Sequence, residues 1–272
     1  MSAEPTDRVA GLKLEVEGAV ATVTLMRRER RNAMTPSMWR GLAQMPGRLS
    51  GDVRVVVVTG DGPSFCAGID LRMFTAEGVP GEKDRGLSPS DPGFDAQLAG
   101  YQAGFRWLRD PAIVSIAAVR GHAIGAGFQL ALACDLRVLA DDAQLCMKEP
   151  ALGLVPDLTG TKPLVDIVGL PRAIELCLTA RTIDAAEAAR FGLAERVVPA
   201  APAAALDDAV RELAKELQTA DPAAARATKA LLAHAHERSL DEQAAAERAA
   251  QARLLQARPA DQRVQPTQAV SD

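Results

Sequence analysis

The chain has 272 residues, of which 48% are hydrophobic and 24% charged, the make-up of a globule with one sizeable core. A formal charge of −4 gives no electrostatic reason to expect nucleic acid or a membrane surface as partner. Four cysteines without paired spacing (Cys66, Cys134, Cys146, Cys177) and three histidines exclude an evident disulfide framework and offer no metal-ligand set.

Residues 12–17 and 19–25 alternate as two short strands around a turn at Glu17-Gly18. A basic stretch, Arg27, Arg28, Arg30 and Arg31, then precedes Asn32-Ala33-Met34. Thr35-Pro36 opens a helix, Thr as N-cap and Pro at the first position, and Pro46-Gly47 kinks or ends it. Val53 to Thr59 is a β-branched run without polar alternation, the pattern of a strand covered on both faces. The small-residue turn Phe65-Cys66-Ala67-Gly68-Ile69-Asp70 follows. Residues 75–94 are rich in Gly, Pro and charge and read as a mobile surface excursion. A helix over about 95–109 stops at Asp110-Pro111.

A second apolar run, Ile113 to Val119, leads into Gly121-His122-Ala123-Ile124-Gly125-Ala126-Gly127 and then directly into an apolar helix. Such a turn removes side chains where a strand hands over to a helix. It leaves main-chain N–H groups at the positive end of the helix dipole, which suits an oxygen that becomes negative during a reaction. A strand is expected at 135–140. Helices then follow over about 164–168, 172–180, 184–191, 202–219, 222–235 and 240–257. The polar N-terminus lacks a signal-peptide core and no apolar stretch approaches bilayer length, so a cytoplasmic protein is expected.

Four segments together resemble the enoyl-CoA hydratase/isomerase family, the crotonase superfamily: VVVVTGDGPSFCAGID at 55–70, GHAIGAGFQLALACDLRV at 121–138, MKEPALGLVP at 147–156 and RTIDAAEAARFGLAERVVP at 181–199. Arg30-Arg31-Asn32-Ala33-Met34 is similar to the family's loop after its second strand, and the likeness runs from about residue 11 to 235. It implies an α/β fold, the crotonase (ClpP/crotonase-like) spiral of ββα units. The core would span 1–198, a C-terminal helical trimerisation region 199–257 and a flexible tail 258–272. It further implies a homotrimer or dimer of trimers.

The resemblance places two oxyanion donors at the main-chain N–H groups of Ala67 and Ala126. Either turn alone would read equally as a tight packing corner. Of the two carboxylates used by the family's hydratases, the first position is Gln129 here and the second is Glu149. Gln129 cannot take up a proton, though its amide could orient water or substrate. A third candidate is Asp157, eight residues after Glu149, at a position where the family's dienoyl-CoA isomerases carry an acid. It reads equally well as a helix cap, and Glu149 has a rival reading as half of an ion pair. Coenzyme A and substrate contacts are implied for Arg27, Arg30, Asn32, Ala33, Gly68, Ile69, Asp70 and Gly125, with Lys229 a weaker candidate. The expected activity is a proton and double-bond shift in an enoyl- or dienoyl-CoA through a thioester enolate. The alternatives are a 2-trans-enoyl-CoA hydratase of fatty-acid β-oxidation and a non-catalytic acyl-CoA binder. No metal, and no cofactor beyond the coenzyme A moiety of the substrate, is expected.

Overall fold

The computed structural model describes residues 7–82, 90 and 92–257. Part of the expected surface excursion at 75–94 and all of the expected tail at 258–272 lie outside them. The strands are β1 (Asp7–Val9), β2 (Leu12–Glu17), β3 (Val20–Leu25), β4 (Val55–Gly60), β5 (Val114–Val119), β6 (His122–Ile124), β7 (Leu136–Ala140), β8 (Gln144–Cys146), β9 (Ile183–Asp184) and β10 (Arg196–Val198). The helices are α1 (Pro36–Gln44), α2 (Phe94–Arg106), α3 (Ala126–Ala133), α4 (Thr161–Val168), α5 (Leu170–Thr179), α6 (Ala185–Arg190), α7 (Ala204–Leu217), α8 (Pro222–Ala233) and α9 (Leu240–Ala257).

Seven strands form the main sheet in the order β1-β2-β3-β4-β5-β7-β10, antiparallel through β3 and parallel from there on. The run of valines in β4 is buried throughout because the sheet is covered twice. Val56 and Val58 face the core beneath α1 and α2, whereas Val55 and Val57 pack with Leu206, Val210 and Leu213 of α7. Opposite faces at successive positions follow from the pleat.

A second layer, β6-β8-β9, stacks short strands beside the first. It continues through single bridges between Cys66 and Ala123 and between Met34 and Ile69. Each turn of the chain thus contributes one strand to the main sheet, a short extended piece to the second layer, and then a helix. β5-β6-α3 is a complete instance of this ββα unit, and β7-β8 followed by α4 is another. The second-layer strands and β10 are only two or three residues long, and the sequence pattern predicts no strand there. Segments so short carry no periodicity; their pairing partners decide their conformation.

The chain divides into two compact units, 1–217 and 218–272. Within the first unit α7 covers one face of the sheet, through Leu206, Val210 and Leu213. In the second unit, Asp221 caps α8 by accepting from Ala223 and Ala224 N–H, and Ser239 exchanges hydrogen bonds with Glu242 at the start of α9. Among the described residues no helix is long and apolar enough to cross a membrane.

Candidate active site

Two small-residue corners meet because main-chain pairing zips them together. Phe65 N–H donates to the Arg120 carbonyl (2.8 Å), Cys66 N–H to His122 (2.7 Å), and Ile124 N–H returns to Cys66 (2.9 Å). The approach tolerates no side chain. A Cβ on Gly127 would lie 2.4 Å from the Cys66 carbonyl oxygen, and one on Gly68 2.9 Å from that of Ile124. Gly68 also has φ +96°, a conformation that L side chains rarely adopt. Gly125, at φ +51°, turns the chain from β6 into α3, so Ala126 opens the helix. Its N–H, like the others of the first turn, has no acceptor within the helix.

The first corner differs from the sequence expectation. Ala67 N–H donates to the Arg31 carbonyl at 2.9 Å and is therefore already engaged. Met34 N–H donates to Gly68 and Asp70 N–H to Met34, at 2.7 and 2.9 Å. Since N–H groups alternate in direction along an extended segment, this parallel bridge leaves Ile69 N–H facing away from the residues 31–34. Ile69, not Ala67, thus holds the available donor of this corner.

The acids lie behind the second corner. Gly125 N–H donates to the Cys146 carbonyl (2.8 Å), which brings the end of β8 and the following Glu149 against the helix start. A Cβ on Gly125 would lie 3.1 Å from Glu149 Oε1. Gln129 Nε2 donates to that same Oε1 at 2.7 Å, while Glu149 Oε2 is buried and has no hydrogen-bond partner among the described residues. Burial pushes the Glu149 carboxyl above its ordinary value; the donation from Gln129 opposes this and the nearby Asp157 charge adds to it. Asp157 is also raised by burial. No ion pair holds Glu149 among the described residues, so that rival reading falls away. Asp157 does not cap the following helix: α4 begins at Thr161 behind Gly160, with no side-chain cap.

Gln129 is fully buried, and its amide is engaged at both ends. Its Oε1 accepts from Leu158 N–H (2.9 Å) and Gly160 N–H (3.2 Å). Gln102 of α2, which carried no sequence signal, donates to the Asp157 carbonyl at 2.8 Å.

The basic loop divides into structural and exposed parts. Arg27 reaches inward, bonding the Ala33 carbonyl and Asp70 Oδ2, the latter at 2.8 Å. Asn32 is fully buried and accepts from Arg27 N–H while donating to Asp61 and Ser64 carbonyls. Asp70 is shared with Arg72, a residue the sequence reading passed over. Those guanidiniums, Arg72 foremost, hold the Asp70 carboxyl well below the usual carboxylate range. Arg27, Asn32 and Asp70 thus build the loop, with Arg30 and Arg31 among its exposed cations. Arg28 instead lines a separate cavity of about 580 Å³ at the carboxyl ends of β3, β4 and β7, with Asp61, Arg120 and Asp207; none of the predicted acids lines it. Among the described residues no cluster of His, Cys, Asp and Glu could hold a metal ion.

A family model described as enoyl-CoA hydratase/isomerase matches residues 15–265. A carnitinyl-CoA dehydratase of Proteus mirabilis is 36% identical over 236 residues, which cover 85% of this chain and 83% of that protein. The peroxisomal Delta(3,5)-Delta(2,4)-dienoyl-CoA isomerase of Arabidopsis thaliana is 32% identical over 191 residues, 70% of this chain and 68% of its own. The crystal structure of a Thermobifida fusca protein, assigned as an enoyl-CoA hydratase and in complex with CoA, is similar at a TM-score of 0.84 and 60% identity, covering 91% of this chain and 94% of that one. A crystal structure of an enoyl-CoA hydratase assignment from the same organism, in complex with acetoacetyl-CoA, is similar at 0.82 and 58%, with 91% and 96% covered.

Proposed function

The chain belongs to the enoyl-CoA hydratase/isomerase family, and from that premise we propose that it moves a double bond in an enoyl- or dienoyl-CoA. The thioester oxygen accepts from Ile69 and Ala126 N–H, and the two donors stabilise the enolate oxygen as charge develops. Losing one such donor typically costs about 3 kcal/mol of transition-state stabilisation. Glu149 removes a proton from the acyl chain through Oε2, and Asp157 serves as the second acid that returns one further along. The observation that carries this reading is the buried Oε2 of Glu149, without a hydrogen-bond partner among the described residues, beside the junction of the two corners. A carboxyl oxygen left without a partner in an otherwise satisfied interior is poised for a ligand. Burial raises both acids toward neutrality, as a proton shuttle requires.

Water addition fits less well, because Gln129 offers no second carboxylate and its oxygen is occupied by two main-chain donors. A panel of crotonyl-CoA, 3-enoyl-CoA and 3,5-dienoyl-CoA in deuterium oxide tests the reading. Isomerisation with deuterium exchange at the shifted carbons is expected. Rapid hydration of crotonyl-CoA overturns it in favour of a hydratase, and tight binding without exchange makes the protein a binder. Asp157→Asn is expected to lower dienoyl turnover by more than tenfold; unchanged turnover leaves Glu149 as sole acid.

Coenzyme A phosphates meet the exposed Arg30 and Arg31 rather than the inward-facing Arg27. Buried free thiols at Cys66, Cys134 and Cys146 support a reducing cytoplasm as the working compartment. A homotrimer or dimer of trimers is the assembly we propose, supported by an apolar stripe on α5 whose members Leu170, Ile174 and Leu178 are exposed.

A further inference from the structure

We infer that Gln129 is a positioning residue that orients both acids at once: its amide nitrogen leaves only Oε2 of Glu149 to exchange the substrate proton, and its amide oxygen fixes the turn carrying Asp157. The inference rests on the proton-shuttle reading of this site. Chemistry dictates the orientation of the amide. Leu158 and Gly160 N–H both point at one atom of it, at 2.9 and 3.2 Å, and only an oxygen accepts from two donors. The nitrogen therefore faces Glu149, 2.7 Å away, and donates to Oε1. An oxygen that is already accepting a hydrogen from that direction is not the one that carries the acid proton. The proton taken from the substrate is received on Oε2, the atom left without a partner among the described residues.

The other end of the amide is just as constrained. Gln129 is fully buried, and a Cβ on Gly160 would come within 2.6 Å of its Cγ, so neither wall gives way. Thr159, between the two donors, sits at φ +69°, a left-handed conformation that a Thr holds only when its surroundings fix it. One side chain thus spans from the base to the segment 157–160. Each end of the amide is engaged, Nε2 with Glu149 and Oε1 with the turn.

Two substitutions separate this role from packing. Gln129→Met keeps the volume and removes both ends. The Glu149 proton is then expected to be held about tenfold more tightly, because a hydrogen bond that favours the carboxylate is gone. The value of kcat falls by ten- to a hundredfold with KM within a few fold. Gln129→Glu keeps an acceptor for Leu158 and Gly160 but sets a second carboxyl beside Oε1. With one proton between them, the pair reproduces the native arrangement; with none, the two anions repel. The rate–pH profile should gain a descending limb on its alkaline side that the native protein lacks. If Gln129→Met does not fold, Gln129→Glu alone decides.

The Glu149 titration is read by carboxyl 13C NMR of the ligand-free protein, its resonance identified as the one missing from Glu149→Gln. This readout needs no substrate. A moved midpoint in Gln129→Met supports the positioning role even if every thioester is refused, in which case the proton-shuttle reading alone fails. An unmoved midpoint in a folded Gln129→Met, or a Gln129→Glu profile identical to the native one, overturns the positioning role even where isomerisation is found.

Discussion

Glu149 illustrates how a single carboxyl sets stability against function. Its folded-state pKa lies above the ordinary value of 4.5 because burial disfavours the charge. The unfolded chain therefore loses this proton first as pH rises, and stability falls between 4.5 and the raised value before levelling off. Glu149→Gln removes that cost while Gln129 can still donate to the new amide oxygen. The variant is expected to melt higher than the native protein at neutral pH, with the gain vanishing below about pH 4 by scanning calorimetry. It should also lose at least a thousandfold in turnover. A variant that is fully active, or one that is less stable at neutral pH, contradicts the assignment. Asp70 has the opposite sign. Its pKa is depressed by Arg72 and Arg27, so its contribution is intact above the ordinary 3.8 and fades as pH falls. Arg27→Met leaves Arg72 in place but releases the Ala33 carbonyl, and should cost about 2 kcal/mol in urea denaturation.

At the scale of elements, the site depends on how closely two loops are allowed to approach. Gly127 lies in the first turn of α3 with ordinary helical geometry, so its requirement is purely one of space. Gly127→Ala places a methyl against the Cys66 carbonyl and pushes α3 from the first corner. A loss of about 1–3 kcal/mol in stability is expected, with kcat/KM reduced by more than that stability loss accounts for. Normal kinetics would show that the corners need not touch. Sequence reading placed both corners correctly from their small residues, yet it chose Ala67 as donor. The choice between Ala67 and Ile69 depends on which N–H the Arg31 and Met34 carbonyls take, and those carbonyls lie more than thirty residues away in sequence. The main parallel strands were legible because long β-branched runs carry their own signal. β6, β8, β9 and β10 were not, since a strand of two or three residues exists only by virtue of its neighbour.

The whole molecule leaves apolar surface that a solitary chain would not be expected to keep. Leu178 is 73% exposed and shares the α5 stripe with Leu170 and Ile174, one helical turn apart. In the second unit α8 buries none of its residues, and Leu232 and Leu240 are also exposed. If the proposed trimer forms through this stripe, Leu178→Glu is expected to lower the mass measured by light scattering, with the fold intact by circular dichroism. An unchanged mass would place the subunit contact elsewhere.

The order of residues along this chain was enough to determine the layered α/β class, the doubly covered β4 and the two glycine-lined corners. Each of these rests on local composition or on runs long enough to carry a pattern. Tertiary structure alone decided that Gln129 bridges Glu149 to the Asp157 turn, that Arg27 and Asn32 point inward, and that Ile69 offers the first donor. Hydrogen-bond partners are chosen by proximity after folding, and nothing in a side chain's own chemistry tells which distant carbonyl or amide will stand opposite it.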